Sequence, residues 1–74
     1  MKRVYILEDL DCAHCAALIE EQVGKLEGVS KATLNFLTTK LIVECEDGKE
    51  KEIEKEIKKI VKKLEPLVEV VLKS

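Results

Sequence analysis

Residues 32–45, ATLNFLTTKLIVEC, decide how this chain folds. Apolar and polar side chains alternate through the first part of this stretch and again through the second, with the period of two that half-buried strands show. The apolar positions are Ala32, Leu34 and Phe36 in the first run and Leu41, Val43 and Cys45 in the second. Two threonines at 38 and 39 separate the runs, so the stretch predicts two strands joined by a tight hairpin.

The sequence before the hairpin predicts a strand and then a helix. Residues 2–8 form a short run rich in β-prone side chains, and residues 9–13 interrupt it with acidic residues and the first cysteine. From His14 to Glu27 the apolar positions recur at steps of four, four and three, which is the stripe of an amphipathic helix. They are Cys15, Ile19, Val23 and Leu26. Gly28 is the predicted stop of this helix.

The sequence after the hairpin repeats the same order of elements. A turn at residues 47–48 precedes a second helical stripe, whose apolar positions are Ile53, Ile57, Ile60, Val61 and Leu64. Acidic side chains are concentrated early in this segment and lysines late, as the helix dipole favours. Pro66 is predicted to end the helix, and residues 68–72 supply a last β-branched run.

The chain divides between Leu37 and Thr38 into two halves of equal length, each with the order strand, helix, strand. This arrangement predicts a single α+β domain spanning residues 1–74, with the ferredoxin-like βαββαβ order. Right-handed crossovers then place both helices on one face of a four-stranded antiparallel sheet. The loop after the first strand, which carries the first cysteine, is expected to be exposed at one edge.

Composition excludes several classes of function. Tyr5 and Phe36 are the only aromatic residues and the formal net charge is -2, so the basic, stacking surface of a nucleic-acid binder is missing. The apolar run at residues 4–7 is far too short for a signal peptide or a membrane insertion. Three cysteines suit a disulfide framework poorly and favour a reducing compartment, so a cytoplasmic location is predicted.

Cys12 and Cys15 have the spacing that lets two thiolates, from a loop and the following helical turn, converge on one metal ion. The unpaired amides of that turn are expected to lower both thiol pKa values and to leave both cysteines ionised near neutral pH. Asp11 is adjacent and is a candidate third ligand. Two thiolates alone suit Cu⁺, whereas an added carboxylate favours a divalent ion such as Zn²⁺, Cd²⁺ or Pb²⁺.

Two other functions remain open for the cysteine pair. A thiol oxidoreductase also uses this spacing, but proteins of the thioredoxin kind close on a helix and place a proline opposite the cysteines. Here the chain ends in a predicted strand and its only proline, Pro66, follows a helix. The remaining alternative is an interaction module in which the cysteines have no role.

The stretch LDCAHCA at residues 10–16 resembles the metal-binding loop of the heavy-metal-associated domain. The resemblance extends over nearly the whole chain, through Glu-Gly-Val at 27–29 and Leu-Asn-Phe at 34–36. The aspartate before the first cysteine is similar to the amino-terminal domains of zinc-, cadmium- and lead-exporting P-type ATPases. The resemblance implies that Cys12 and Cys15 are ligands, that Asp11 selects divalent ions, and that Leu10 is buried beneath the loop.

The same resemblance implies a non-catalytic domain that binds one ion and passes it to a partner. That partner is the membrane-embedded core of a parent ATPase, or another metal-binding domain. Since this sequence contains no ATPase motif, the chain is expected to be either the terminal domain of such a transporter or a free-standing cytosolic metallochaperone, including one for Cu⁺.

Other residues near the cysteines have less specific patterns. His14 lies one step from each cysteine and is expected to point away from the ion, so it is only a minor ligand candidate. Glu65 lies in the turn after the second helix, which approaches the metal loop in this fold, and is a candidate oxygen ligand. Cys45 and Tyr5 alternate with apolar neighbours and are predicted to belong to the core.

Overall fold

The computed structural model describes residues 2–73 and has the predicted order of elements. The bounds are β1 Lys2–Glu8, α1 Ala13–Gly24, β2 Val29–Asn35, β3 Lys40–Cys45, α2 Glu50–Leu64 and β4 Glu69–Leu72. The four strands form one sheet in the order β2-β3-β1-β4, and every neighbouring pair is antiparallel. The ferredoxin-like fold is therefore confirmed.

The core lies between the sheet and the two helices. From α1 it receives Ala16, Ile19 and Val23, and from α2 it receives Ile53, Ile57 and Val61. The sheet contributes alternate side chains, including Tyr5, Leu7, Leu41, Val43 and Cys45. Tyr5 is 1% exposed and Cys45 is 4% exposed, which confirms that both belong to the core. Burial of this apolar surface is the main force that holds the helices on the sheet.

The first helix is shorter than its apolar stripe predicts. It ends at Gly24, and the predicted extension to Glu27 is wrong. The amide of Lys25 donates to the carbonyl of Gln22, and the amide of Leu26 donates to that of Val23, at 3.2 and 3.1 Å. These bonds span three residues and close the helix in a tight turn. Gly28 instead takes the turn into β2 with a φ of 91°, a value that glycine adopts without strain.

The second helix ends where its sequence predicts. Glu65 precedes Pro66 and has a non-helical backbone with φ −143° and ψ 85°, as expected because the proline ring disfavours helical geometry in the residue before it. The amide of Glu65 still donates to the carbonyl of Val61 at 2.7 Å. Proline therefore fixes the last turn of α2 and sets Glu65 at the exit from the helix.

Strand pairing brings three connections to one end of the molecule. The amide of Leu7 donates to the carbonyl of Thr39 at 2.9 Å, which places the hairpin 36–39 beside the end of β1. Glu8 pairs with Glu69, which places the turn 65–68 beside the same point on its other side. The loop 9–12 lies between them, and we refer to these three connections as the loop end.

The two edges of the sheet differ in how they are covered. At β2, the amide of Leu34 points away from β3 and donates to the Glu20 carboxylate of α1 at 2.6 Å. Such a bond occupies an edge group that would otherwise be available to another strand. Within residues 2–73, neither helix combines the length and the apolar character that a membrane span requires.

Candidate metal centre

Cys12 caps the first helix with its sulfur. Its backbone is extended, with φ −115° and ψ 110°, and its Sγ accepts a hydrogen bond from the amide of Cys15 at 3.3 Å. Its carbonyl accepts from the amide of Ala16 at 3.0 Å. A cap residue normally satisfies helix amides with an oxygen, and here sulfur takes that role. The first turn of α1 itself carries no acidic side chain that would offset the positive end of the helix dipole.

The loop that carries the cysteines is anchored to the core by the residues just before Cys12. Leu10 is 6% exposed and packs into the core, as the family resemblance implies. Asp9 has a φ of 67°, in the left-handed region that aspartate tolerates better than most residues. The chain therefore turns sharply at Asp9, inserts Leu10 into the core and emerges at Cys12.

Glu65 completes a group of three ligand atoms with the two cysteines. One atom each from Cys12, Cys15 and Glu65 lie within 4.8 Å of one another, and all three residues are half-buried. Among residues 2–73, this is the only such group of three or more histidine, cysteine, aspartate and glutamate side chains. Two sulfurs and one carboxylate form a donor set that Zn²⁺ accepts, and a fourth position is open to water or an incoming ligand.

The other two candidate ligands lie outside this group. Asp11 is exposed in the loop, and His14 is exposed in the first turn of α1. The expectation that Asp11 is the third ligand therefore stays a prediction. Glu65, a minor candidate in the sequence, is the carboxylate that the fold brings beside the sulfurs.

The pKa of the Cys15 thiol is raised, whereas the sequence predicted that it would be lowered. Its hydrogen bond with Cys12 is the main cause that raises its pKa from 9.0 to about 12. A hydrogen bond with Glu65, partial burial and the negative charges of both neighbours act in the same direction. The expectation that both thiols are ionised near neutral pH is therefore wrong for Cys15 in the metal-free protein, because these neighbours outweigh the helix dipole.

We expect metal binding to release at least one proton at pH 7, since the Cys15 thiol must become a thiolate to act as a ligand. The apparent affinity should therefore rise by about tenfold per pH unit for each proton displaced. Calorimetric titration with Cd²⁺ in buffers of different ionisation enthalpy measures the proton count. Cys45→Ala should leave that count unchanged, whereas a count of zero in the wild-type protein would mean that Cys15 is already ionised.

Two leucines at the loop end were not singled out by their sequence pattern. Leu37 in the hairpin is 92% exposed, and Leu67 in the turn after α2 is 88% exposed. Each lies outside the alternating and helical runs. An apolar residue outside such a run was the only feature of the sequence that indicated an exposed side chain. Apolar side chains this exposed beside a candidate site are typical of a contact surface.

The sequence of residues 4–68 matches the family model described as the heavy-metal-associated domain. The chain is 38% identical over 52 residues to a cadmium, zinc and cobalt-transporting ATPase of Bacillus subtilis, a match that covers 70% of this chain and 7% of that protein. It is 32% identical over 54 residues to the copper chaperone CopZ of Enterococcus hirae, covering 73% and 78% respectively.

A solved structure has the same fold. The amino-terminal domain of a potential copper-translocating P-type ATPase from Bacillus subtilis, in its Cu(I)-loaded state, superposes with a TM-score of 0.75 at 27% identity. The superposition covers 99% of this chain and 86% of that one. The similar proteins therefore include carriers of both monovalent copper and divalent ions.

Proposed function

The chain belongs to the heavy-metal-associated domain family, and from this premise we propose that it binds one soft divalent cation, Zn²⁺, Cd²⁺ or Pb²⁺, through Cys12, Cys15 and a carboxylate. The domain binds a heavy metal and is not itself a catalyst. We further propose that it serves as the metal-binding domain of a heavy-metal-exporting P-type ATPase, on the cytoplasmic face of the membrane. The relation to the cadmium, zinc and cobalt transporter supports this assignment.

The position of Glu65 carries the proposal for a divalent ion. Its carboxylate lies within 4.8 Å of the ligand atoms of both cysteines. With two thiolates and one carboxylate, a divalent ion leaves a net charge of about −1, whereas a monovalent ion leaves about −2. Hard oxygen donors contribute little to Cu⁺, which two sulfurs satisfy. Asp11 is adjacent to Cys12 and is the alternative source of this carboxylate.

Transfer of the ion requires a site that partners can reach. Cys12, Cys15 and Glu65 are only half-buried, so an incoming thiolate has access to the ion. We propose that ligands are exchanged one at a time, with a partner sulfur entering before a domain sulfur leaves, so that the ion is never left with only water. Leu37 and Leu67 are exposed at the loop end, and we propose that they supply apolar contact to the partner, which is the transporter core or another metal-binding domain.

Replacing the Glu65 carboxylate tests the choice of metal. Glu65→Gln keeps the side-chain shape and removes the negative charge, so Cd²⁺ and Zn²⁺ affinity should fall by at least the roughly 10- to 100-fold that changes in supporting groups around a metal cost. Cu⁺ affinity should change much less. Competition titrations with chromophoric chelators under reducing conditions measure both affinities.

Glu69→Gln is the matched control, because Glu69 is an exposed glutamate four residues away at the same end of the molecule. It should leave both affinities unchanged. Asp11→Asn tests the other carboxylate in the same assay. If both Glu65→Gln and Asp11→Asn retain wild-type affinity for Cd²⁺, the assignment to divalent ions fails.

A Cu⁺ carrier is the second candidate function. It is favoured by the similarity to the copper chaperone CopZ, of which the aligned stretch covers 78%. A Cu⁺ chaperone requires only the two sulfurs, so neither Glu65→Gln nor Asp11→Asn should lower its affinity for Cu⁺. Selectivity measured as the ratio of Cu⁺ to Zn²⁺ affinity, before and after Glu65→Gln, separates the two candidates.

A further inference from the structure

Within residues 2–73, no strand pairs with the outer edge of β4, so main-chain groups there are available to another strand. The amide of Lys73 donates to the carbonyl of Val4 at 2.8 Å, which fixes 4 with 73, 6 with 71 and 8 with 69 as the hydrogen-bonded pairs. The backbone groups of Val70 and Leu72 therefore point away from β1. The opposite edge differs, because there Glu20 already holds the amide of Leu34.

A groove of about 330 Å³ runs beside this edge, between α2 and β4. Its apolar side chains include Val68 and Val70, and Lys58 and Lys62 stand on its helical wall. Val71 and Leu72 on the strand are 41% and 42% exposed. The edge thus combines unpaired backbone, apolar surface and two positive charges.

The two lysines set the chemistry of the segment that fits the groove. Lys62 makes no ion pair with another described residue, and Lys58 is paired with the half-buried Glu54 at 3.5 Å while its own side chain stays exposed. The lysines are four residues apart on a helix, which separates them by about 6 Å along its axis. Side chains two residues apart on one face of a strand are separated by roughly 6.8 Å. Acidic residues at alternate positions of an extended segment therefore match both lysines.

We propose that β4 accepts an extended acidic segment of a partner protein as a fifth, antiparallel strand, with its alternate carboxylates on Lys58 and Lys62. Main-chain bonds to Val70 and Leu72 supply the pairing, and the lysines supply the preference for an acidic sequence. Glu69, at the end of the groove nearest the metal loop, disfavours a third acidic residue there. The site does not include the cysteines, so binding is independent of metal.

The test uses the metal-free protein and the synthetic hexapeptide acetyl-Thr-Glu-Val-Glu-Val-Thr-amide. Titration followed by ¹⁵N NMR should give saturable shifts along β4 and α2, and hydrogen exchange at the amides of Val70 and Leu72 should slow. The double variant Lys58→Gln with Lys62→Gln should bind the peptide roughly fivefold more weakly or worse, since two ion pairs with the peptide are lost. Lys51→Gln with Lys55→Gln has the same spacing on α2 and should leave binding unchanged.

Peptide variants test the main-chain pairing directly. In an antiparallel fifth strand the glutamate amides face β4 and the valine amides face away, so N-methylation of the two glutamates should abolish binding while N-methylation of the two valines retains it. The proposal would be overturned if the two lysine double variants lost the same amount of peptide affinity. It would also be overturned if N-methylation of the glutamates and of the valines had equal effects on binding. So would slow exchange of Val70 and Leu72 without peptide in a sample that sediments as a dimer, because a second copy would then be the occupant.

Discussion

Changing Cys12 and Cys15 together to serine is expected to lower Cd²⁺ affinity by about a thousandfold or more. Both sulfur ligands are lost, and a serine hydroxyl does not ionise at neutral pH. Structural zinc sites bind with about 10–16 kcal/mol, so removing two of the ligands costs more than about 4 kcal/mol. The thiolate-to-cadmium absorption at one equivalent should disappear. Calorimetry and ultraviolet spectra under reducing conditions measure both effects.

The fold should survive this change, which makes the loss of affinity interpretable. Both cysteines are only half-buried, and serine is a favourable cap at position 12, where the sulfur now accepts a helix amide. Cys45→Ala is the control, since Cys45 lies buried on β3 and its loss should leave the metal spectrum intact. A double serine variant that still binds Cd²⁺ with wild-type affinity would place the ion elsewhere and contradict the proposed function.

Of the substitutions proposed here, truncating Ile57 to alanine is expected to lower the free energy of unfolding most. Ile57 is fully buried at the middle of α2 against the sheet, so Ile57→Ala leaves a cavity and costs about 2–5 kcal/mol of unfolding free energy. Domains of this size are stabilised by roughly 4–11 kcal/mol, so much of the margin is lost. The melting temperature should fall by about 10 °C or more. Chemical denaturation and thermal melts followed by circular dichroism measure the change.

Ile60 provides the matched comparison on the same helix. It is only half-buried at the rim of the core, so Ile60→Ala should cost clearly less than Ile57→Ala. Saturating Cd²⁺ should raise the melting temperature of both variants, since an ion that binds only the folded state stabilises it by mass action. Equal losses for the two substitutions would show that α2 packs on the sheet in a different rotation.

Periodicity and turn chemistry were enough to predict the fold. Alternation at residues 32–45 predicted the hairpin, and Pro66 predicted the end of the second helix, because both signals act locally. The end of the first helix was harder to predict. Leu26 continues the apolar stripe, yet the chain turns after Gly24 and Leu26 packs on the core from a loop. A periodic pattern records burial and does not distinguish a helix from the turn that follows it.

The candidate site was only partly predictable for a related reason. Cys12 and Cys15 are close in sequence, so their spacing alone indicated a shared ion. Glu65 is fifty residues further along, and only the pairing of β4 with β1 brings its turn to the loop end. The raised pKa of Cys15 has a mixed origin, because its largest cause is the hydrogen bond with the nearby Cys12 and the distant Glu65 adds to it. Neighbours that are distant in sequence decide properties that a local motif cannot show.

The Glu20 carboxylate on the amide of Leu34 also limits how these molecules can aggregate. Strand-by-strand growth into a fibril requires that each added subunit present a fresh, receptive border to the next. Here the β4 border has two residues with outward main-chain groups, whereas at the β2 border the amide of Leu34 is already bound within the same subunit. A strand from another molecule is therefore expected to add less readily at the β2 border than at the β4 border.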